Sequence, residues 1–341
     1  MAKVSKSGEV FSKYEQPLDS GQISGKELQR FEDIATLIEN WCPKLALRIL
    51  EIGCANSNLL ASLKKRGYSS LLGLDPSPSC ARFALEHHSI RVFTSTISSI
   101  EKLNMQFDLI LMIGVMEHIR ELKDTLAYIR TVLSPRGKLF IEVPDASRFS
   151  DYIDAPYQQF STEHINYFSF TSLNNLMSTQ GYNRKFGIQS SRKLSRTSTM
   201  PVITALYEIV PNAEYCILPD TLTHPSLQAY IQASAKIEVS IKARINKLIH
   251  SKEPILIWGT GTHTMRLLAE DNLNQVNIVG YIDSNPKYHG LQIQGISIYS
   301  PDQIKNRSES ILISTLGYCD EIESIIRNDM KMRNRIIKLY S

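Results

Sequence analysis

The sequence has no strong excess of charge of either sign, no long apolar run and no paired cysteines. Lys and Arg total 38 against 34 Asp and Glu, a net charge of +4. A balance so close to even, without a Lys/Arg run, gives no footprint for nucleic acid. The longest purely apolar stretch, Leu109–Val115 with Gly114 inside it, falls far short of the ~20 residues a membrane-spanning helix needs. The opening MAKVSKSGEVFSKYEQP is polar and lacks the apolar centre of a secretory signal. Neither membrane insertion nor export is expected, and the cytoplasm is the expected compartment. Cys42, Cys54, Cys80, Cys216 and Cys319 form no CxxC pair and lie at no ligand-like spacing from a histidine. Each lies in or beside an apolar segment, so they read as buried free thiols in a reducing compartment. His263 and His289 fall on different elements, so no metal site is expected.

What is present is an ordinary globular composition, 43% hydrophobic and 21% charged, over 341 residues. At roughly 100–200 residues per domain this length suggests two domains. Residues 1–26 show no sustained period and read as an arm. Lys26–Trp41 places Leu28, Phe31, Ile34, Ile38 and Trp41 at helical spacing. Strand and helix signals then alternate. Strands are expected at Arg48–Ile52, Ser70–Leu74, Arg91–Thr94, Phe107–Ile113 and Lys138–Val143, with helices at Asn58–Arg66, Ser79–His87 and Leu122–Leu133. Such alternation means βαβ units and a parallel sheet. Ser190–Thr199 reads as a polar, basic surface loop, and Ser226–His250 as one long amphipathic helix.

A second βαβ series begins at Ile255 and repeats the first. Ile49–Gly53 (ILEIG) precedes Asp75 in GLDPSP, and Ile255–Gly259 (ILIWG) precedes Asp283 in GYIDSNP. The expected class is α/β, with two Rossmann-like units, the second smaller. The expected boundaries are an arm at 1–26, a first domain at 27–195, a helical connection at 196–253 and a second domain at 254–341.

In doubly wound sheets the ligand sits beyond the C-terminal strand ends, at the first βα turn. Glu51-Ile-Gly53-Cys-Ala55-Asn-Ser57 occupies that turn. A dinucleotide site would carry GxGxxG, letting backbone and helix N-terminus approach a pyrophosphate. Only Gly53 is kept, and a carboxylate at Glu51 would repel an anion. It would suit a cation such as S-adenosylmethionine (SAM), which has a sulfonium, an ammonium and no phosphate. An NAD-dependent enzyme is correspondingly disfavoured. Asp75, ending the second strand, suits a ribose.

These residues, with Phe107-Asp108-Leu109-Ile110, Val115-Met116-Glu117-His118-Ile119 and the turn and strand at 133–141, resemble the motifs of class I SAM-dependent methyltransferases over residues 26–190. The resemblance implies that Glu51, Gly53 and Ala55 line the methionine end and that Asp75 meets the ribose. It also implies Thr96 or Ile97 near adenine, and Ile113 or Gly114 near the sulfonium. That family usually has glycine where Ala55 and Ser57 stand here. After the fifth strand, Glu163-His164-Ile-Asn166-Tyr167-Phe168 resembles the sugar-nucleotide C-methyltransferases that act on 4-keto-deoxysugars. The second domain is similar to the C-terminal domain of the same enzymes. Their N-terminal zinc-binding cysteine domain has no counterpart in this sequence.

Methylating carbon beside a ketone needs an enolate, hence a base titrating near neutrality and donors for the oxyanion. His164 is the expected base, with Glu163 orienting it or binding the sugar and Tyr167 or Asn166 as donor. Glu117 and His118, after the fourth strand, either assist at the substrate or merely begin a helix. In the second domain, Gly259, Gly261 and His263 at a glycine turn, with Asp283, are candidates for a nucleotide-sugar's diphosphate and ribose. The expected activity is SAM-dependent methyl transfer to an activated sugar. The alternatives are O-methylation of a sugar or polysaccharide-precursor hydroxyl, and a non-catalytic sugar-nucleotide binding module. No oligomeric state is expected over another.

Overall fold

A computed structural model describes residues 25–153, 155–160, 163–193, 199–210, 215–315 and 317–340. Most of the expected arm lies outside the described residues. The chain divides into two compact units, one from residues up to 148, 162–192 and 200–225, the other from 149–161, 193–199 and 226 onward.

The first unit opens with α1 (Gly25–Trp41), β1 (Arg48–Ile52), α2 (Asn58–Lys65), β2 (Ser70–Asp75), α3 (Pro78–Phe83) and β3 (Arg91–Thr94). It continues with β4 (Phe107–Ile113), α4 (Leu122–Val132), β5 (Leu133–Pro144), α5 (Phe170–Thr179), β6 (Tyr182–Lys193) and β7 (Thr199–Ile209). Its seven strands run in the order β3-β2-β1-β4-β5-β7-β6. The first five pair in parallel, and β7 pairs antiparallel with β5. This is a Rossmann-like α/β domain with a mixed sheet. The strand order reverses between β1 and β4, which opens the ligand crevice at their C-terminal ends.

Alternate strand residues feed two separate cores, as the two-residue strand period requires. Leu50, Ile52, Ile110, Met112, Leu139 and Ile141 pack with Leu126 and Ile129 of α4 and Leu173 and Met177 of α5. Ile49, Leu109, Leu111 and Phe140 pack on the opposite face with Ile34 and Ile38 of α1 and Leu59, Leu60 and Leu63 of α2. Each such fully buried side chain is worth about 1.5–3 kcal/mol relative to exposure. Covered on both faces, the strands read as continuous apolar runs, which is why they were legible.

Three elements differ from expectation. The helix after β2 ends at Phe83, because Ala84–His88 widens into a π turn. The fifth strand starts at Leu133, because the Ser134–Gly137 turn is held in the sheet through an irregular register with β4. Ser190–Lys193, expected as loop, is the end of β6. Most side chains of β6 are exposed and include Arg184, Lys185 and Lys193. An edge strand guarded by charge shows no hydrophobic alternation to read.

The second unit contains most of α6 (Thr223–Ser251), then β8 (Ile255–Trp258), α7 (Thr262–Glu270), β9 (Ile278–Ile282), β10 (Gln292–Ile293), β11 (Ile296–Tyr299), β12 (Ser310–Ile313), α8 (Cys319–Ser324) and β13 (Ile336–Lys338). Its six strands run β10-β11-β9-β8-β12-β13. All pairs are parallel except the β10–β11 hairpin. Ile255, Ile257 and Leu312 pack against α6 and α7, while Leu256, Trp258, Ile311 and Ile313 pack against α8. Among the described residues no helix is long and apolar enough to cross a membrane. Of the five cysteines expected to be buried, Cys216 is exposed in the structure and the other four are buried.

Gly73 marks the tightest point beside β1. A Cβ there would lie 2.5 Å from Cys54 Sγ and 2.9 Å from Val92 Cγ2. Gly73→Val is expected to lower unfolding free energy by roughly 1–3 kcal/mol through overpacking, measured by urea denaturation.

Candidate active site

The crevice at the β1/β4 switch is built from backbone first. Gly53 N–H donates to the Leu74 carbonyl at 2.7 Å, which turns the chain sharply off β1. Asp75 then pins the loop: its carboxylate accepts from Ala55 N–H and from Ser77 N–H, each at 2.9 Å. Gly53, Ala55 and Ser57 have φ of 69°, 44° and 58°. The left-handed backbone of a glycine-rich turn is therefore retained where two of the glycines are not. Each non-glycine residue there carries about 1–2 kcal/mol of steric strain.

Glu51 is buried, with 4% of its surface exposed, and its Oε2 has no hydrogen-bond partner. Burial pushes its pKa up to about 8, with nearby Asp75 adding to the rise; Arg30 and a backbone hydrogen bond at Leu60 oppose it. The carboxyl is thus mostly protonated at pH 7, so the anion repulsion expected from sequence is largely absent until a cation arrives. That correction leaves the preference intact, because an unpartnered buried carboxyl is stabilised by an incoming ammonium. Asp75 is also buried, and burial raises its pKa against the two backbone donors. Thr96 and Ile97 lie just after β3, on the same edge of the sheet.

Beyond β4, Gly114 (φ 69°) turns the chain, its N–H donating to the Glu142 carbonyl at 2.9 Å. Ile113 is the last residue of β4 and is half-buried. A Cβ on Gly114 would lie 3.6 Å from Glu117 Oε1 and 3.9 Å from Arg30 Nη2. The two parts of the site expected from sequence meet here. Ile165 N–H and Asn166 N–H both donate to the Glu117 carbonyl, at 2.9 and 3.1 Å. Asn166 Nδ2 donates to the carbonyls of Met116 and Ile119, at 3.1 and 2.6 Å. His118 Nδ1 bonds the Glu163 carbonyl at 2.8 Å. Both Asn166 amide protons are committed to backbone, so Asn166 is a clamp on the turn and not the oxyanion donor expected of it.

The clamp sets the His118 and His164 rings edge to face, 4.9 Å apart. Glu117, His118 and His164 each bring a ligating atom within 4.8 Å of the others. Glu117 is 4% exposed, and its Oε2 has no hydrogen-bond partner. Burial raises its pKa, while His118 opposes the rise. Burial and His118 lower the pKa of His164, so its ring is neutral at pH 7. Tyr167 is half-buried and its pKa is raised by burial, which keeps the hydroxyl protonated as a donor. Glu163 is exposed.

Three charged neighbours were missed in the sequence. Arg30 on α1 donates to Glu142 Oε1 through Nη2 at 2.6 Å and Nε at 3.2 Å. Arg192 is pushed down to about 10 by burial and by Arg30, with Glu142, Glu27 and Glu117 opposing. Arg30 sits on an amphipathic helix and Arg192 in a basic, serine-rich stretch, both of which read as solvated surface.

The second unit repeats the loop geometry. Gly259 (φ 104°) donates to the Ile282 carbonyl at 2.8 Å. Asp283 accepts from Thr260 N–H at 3.0 Å, Thr260 Oγ1 at 2.5 Å and Asn285 N–H at 2.8 Å. A Cβ at Gly261 would meet nothing within 4 Å, so the turn is open. His263 is held neutral, pushed down to about 4 by burial and then by Arg266, and its Nε2 is bonded to the Tyr340 hydroxyl. It has no positive charge to offer a phosphate.

Residues 26–184 match the family model described as a methyltransferase domain, and residues 251–337 match one described as C2185-like, N-terminal. A ubiquinone biosynthesis O-methyltransferase of Dictyostelium discoideum is 27% identical over 128 residues, 33% of this chain and 40% of that protein. A tRNA U34 carboxymethyltransferase of Saccharophagus degradans is 30% identical over 105 residues, 28% of this chain and 31% of that protein. The chain thus spans less than half the length of these curated relatives. A solved structure of the 1,6-didemethyltoxoflavin-N1-methyltransferase of Burkholderia thailandensis, with S-adenosylhomocysteine bound, is 14% identical. It covers 55% of this chain and 80% of its own, with a TM-score of 0.42.

Two expectations follow from the loop. Ala55→Gly and Ser57→Gly should each raise stability by about 0.5–1 kcal/mol, the relieved strain less glycine's larger unfolded-state entropy; chemical denaturation checks this. Because Glu51 keeps in the folded state a proton that the unfolded chain releases from its ordinary 4.5 upward, its contribution to stability falls as pH rises from 4.5 to about 8. The slope reaches up to about 1.4 kcal/mol per pH unit. Glu51→Gln should flatten that decline in urea titrations across the same range. The orphaned Glu51 carboxyl fits the cationic methionine end of SAM, and residues 26–184 form a SAM-dependent methyltransferase domain of the class I fold.

Proposed function

We propose that this chain methylates a nucleotide-linked sugar, at carbon beside a keto group. Bound SAM supplies an electrophilic methyl group on a positively charged sulfur that departs as a neutral thioether. In this reading Glu51, Gly53 and Ala55 hold the methionine end and Asp75 the ribose. Thr96 or Ile97 borders the adenine, and Ile113 or Gly114 the sulfonium. The observation that carries the acceptor side is the convergence of Glu117, His118 and His164 beside Gly114.

A neutral His164 ring has a lone pair available at pH 7, as a base drawing a proton from carbon requires. The proton passes to the imidazole, and the electron pair it leaves delocalises onto the keto oxygen. Tyr167 donates to that oxygen. Glu163, exposed at the rim, meets a sugar hydroxyl. The Glu163-His164-x-x-Tyr167-Phe168 pattern supports the sugar. The second unit, taken by itself, is a Rossmann-like domain on this reading, and its open turn at Gly259 and Gly261 would suit a nucleotide's diphosphate through backbone N–H groups. Asp283, already carrying the loop, would face the ribose.

O-methylation of a hydroxyl is the second reading, favoured by the buried Glu117 carboxyl beside two imidazoles and by the O-methyltransferase among the relatives. The decisive assay incubates the full chain with labelled SAM and nucleotide 4-keto sugars, with sugar hydroxyl acceptors and tRNA alongside. NMR of the new methyl group separates carbon from oxygen attachment. His164→Ala should cost 10²–10⁴-fold in rate, on the order expected for a general base, with SAM affinity unchanged by calorimetry. A variant that keeps its rate removes His164 from the base role, and transfer to tRNA alone removes the sugar.

A further inference from the structure

We infer that Glu117, His118 and His164 form a binding site for a divalent transition-metal ion at the acceptor end of the crevice. The three donors come from two segments remote in sequence, and their ligating atoms lie within 4.8 Å of one another. Two imidazoles and one carboxylate are a donor set suited to zinc, cobalt or iron, with positions left open for an oxygen ligand.

Two further observations point the same way. Glu117 is 96% buried by the complement of its 4% exposure, yet its Oε2 has no hydrogen-bond partner. A buried carboxylate oxygen left unpaired is costly unless a cation or donor joins it. His118 is already oriented as a metal ligand is. Its Nδ1 bonds the Glu163 carbonyl at 2.8 Å, and with the proton on Nδ1 the Nε2 lone pair is left free. A backbone carbonyl accepting from the far nitrogen is how metal-ligating histidines have their tautomer and ring direction set.

The charge balance permits a dication. Arg30 is paired with Glu142 through the 2.6 Å bond, and the Glu117 carboxylate brings a negative charge to the ion. Arg192 is the opposing cation nearby. Donors around a zinc ion at about 2.0–2.2 Å stand roughly 3–3.5 Å apart, so binding tightens the trio by side-chain rotation within the clamped turn.

The ion would hold an acceptor's keto or hydroxyl oxygen and polarise it. A His164 ring that ligates the ion has no lone pair left for a carbon-bound proton, so with the ion bound His164 serves as ligand in place of base, and the test of the site does not depend on turnover. The full chain is stripped with a chelator and titrated with Co²⁺, read by visible absorption and by calorimetry. One ion per chain is expected, with absorption typical of nitrogen and oxygen ligation. Glu117→Gln and His118→Ala should each weaken binding at least tenfold, while calorimetric SAM affinity stays at the level of the unaltered chain and shows the fold intact. No stoichiometric binding, or unchanged Co²⁺ affinity in both variants, overturns the site. Either result leaves the methyl-transfer reading to be decided by its own assay.

Discussion

The acceptor side of this molecule depends on one backbone clamp. The carbonyl of Glu117 accepts two N–H bonds from 165–166, Asn166 returns two side-chain bonds to the same turn, and His118 closes the circuit on Glu163. Charges and rings on segments remote in sequence are held at contact distance only because these neutral bonds fix both backbones. Each is worth on the order of 1 kcal/mol net. Five together leave the segment after β5 little freedom to leave β4. A site whose donors are positioned this way is organised before anything binds, which lowers the reorganisation that binding or chemistry would require.

The cofactor side depends on a different device, a carboxylate used as a backbone staple. Asp75 holds Ala55 and Ser77 while remaining at the edge where a ribose is expected. Asp283 does the same for Thr260 and Asn285 in the second unit. The recurrence explains why an acidic residue at the end of the second strand is needed even without a ligand: it satisfies loop N–H groups that burial would otherwise orphan. What separates the two turns is the residue two positions before the first glycine. Glu51 places a buried, unpartnered carboxyl beneath the first turn, whereas Ile257 is buried apolar strand in the second. Two turns of the same backbone design therefore present different surfaces to a ligand.

The left-handed residues at Ala55 and Ser57 show how far a pattern can drift while the geometry persists. A search for glycines would discard this loop, and the backbone shows why it should not. The strain at each position is about 1–2 kcal/mol, small beside the apolar burial of β1 and α2 on either side. It is tolerated because Asp75 and the Leu74 carbonyl over-determine the turn.

The sequence by itself determined the parallel strands β1 to β5 and the order of motifs that marks a SAM-binding crevice. Buried strands are runs of apolar residues, and turns need particular residues at particular places; both are local rules. It also pointed to Glu117, His118, Glu163, His164 and Tyr167 as residues of chemical interest. Only the tertiary structure decided what they do together. It turned Asn166 from donor into clamp and protonated Glu51 by burying it. It neutralised His263, and it drew Arg30 and Arg192 from apparently solvated stretches to the site's edge. Burial, pairing and pKa depend on what packs against a residue from elsewhere in the chain, and that information is not carried by its neighbours in sequence.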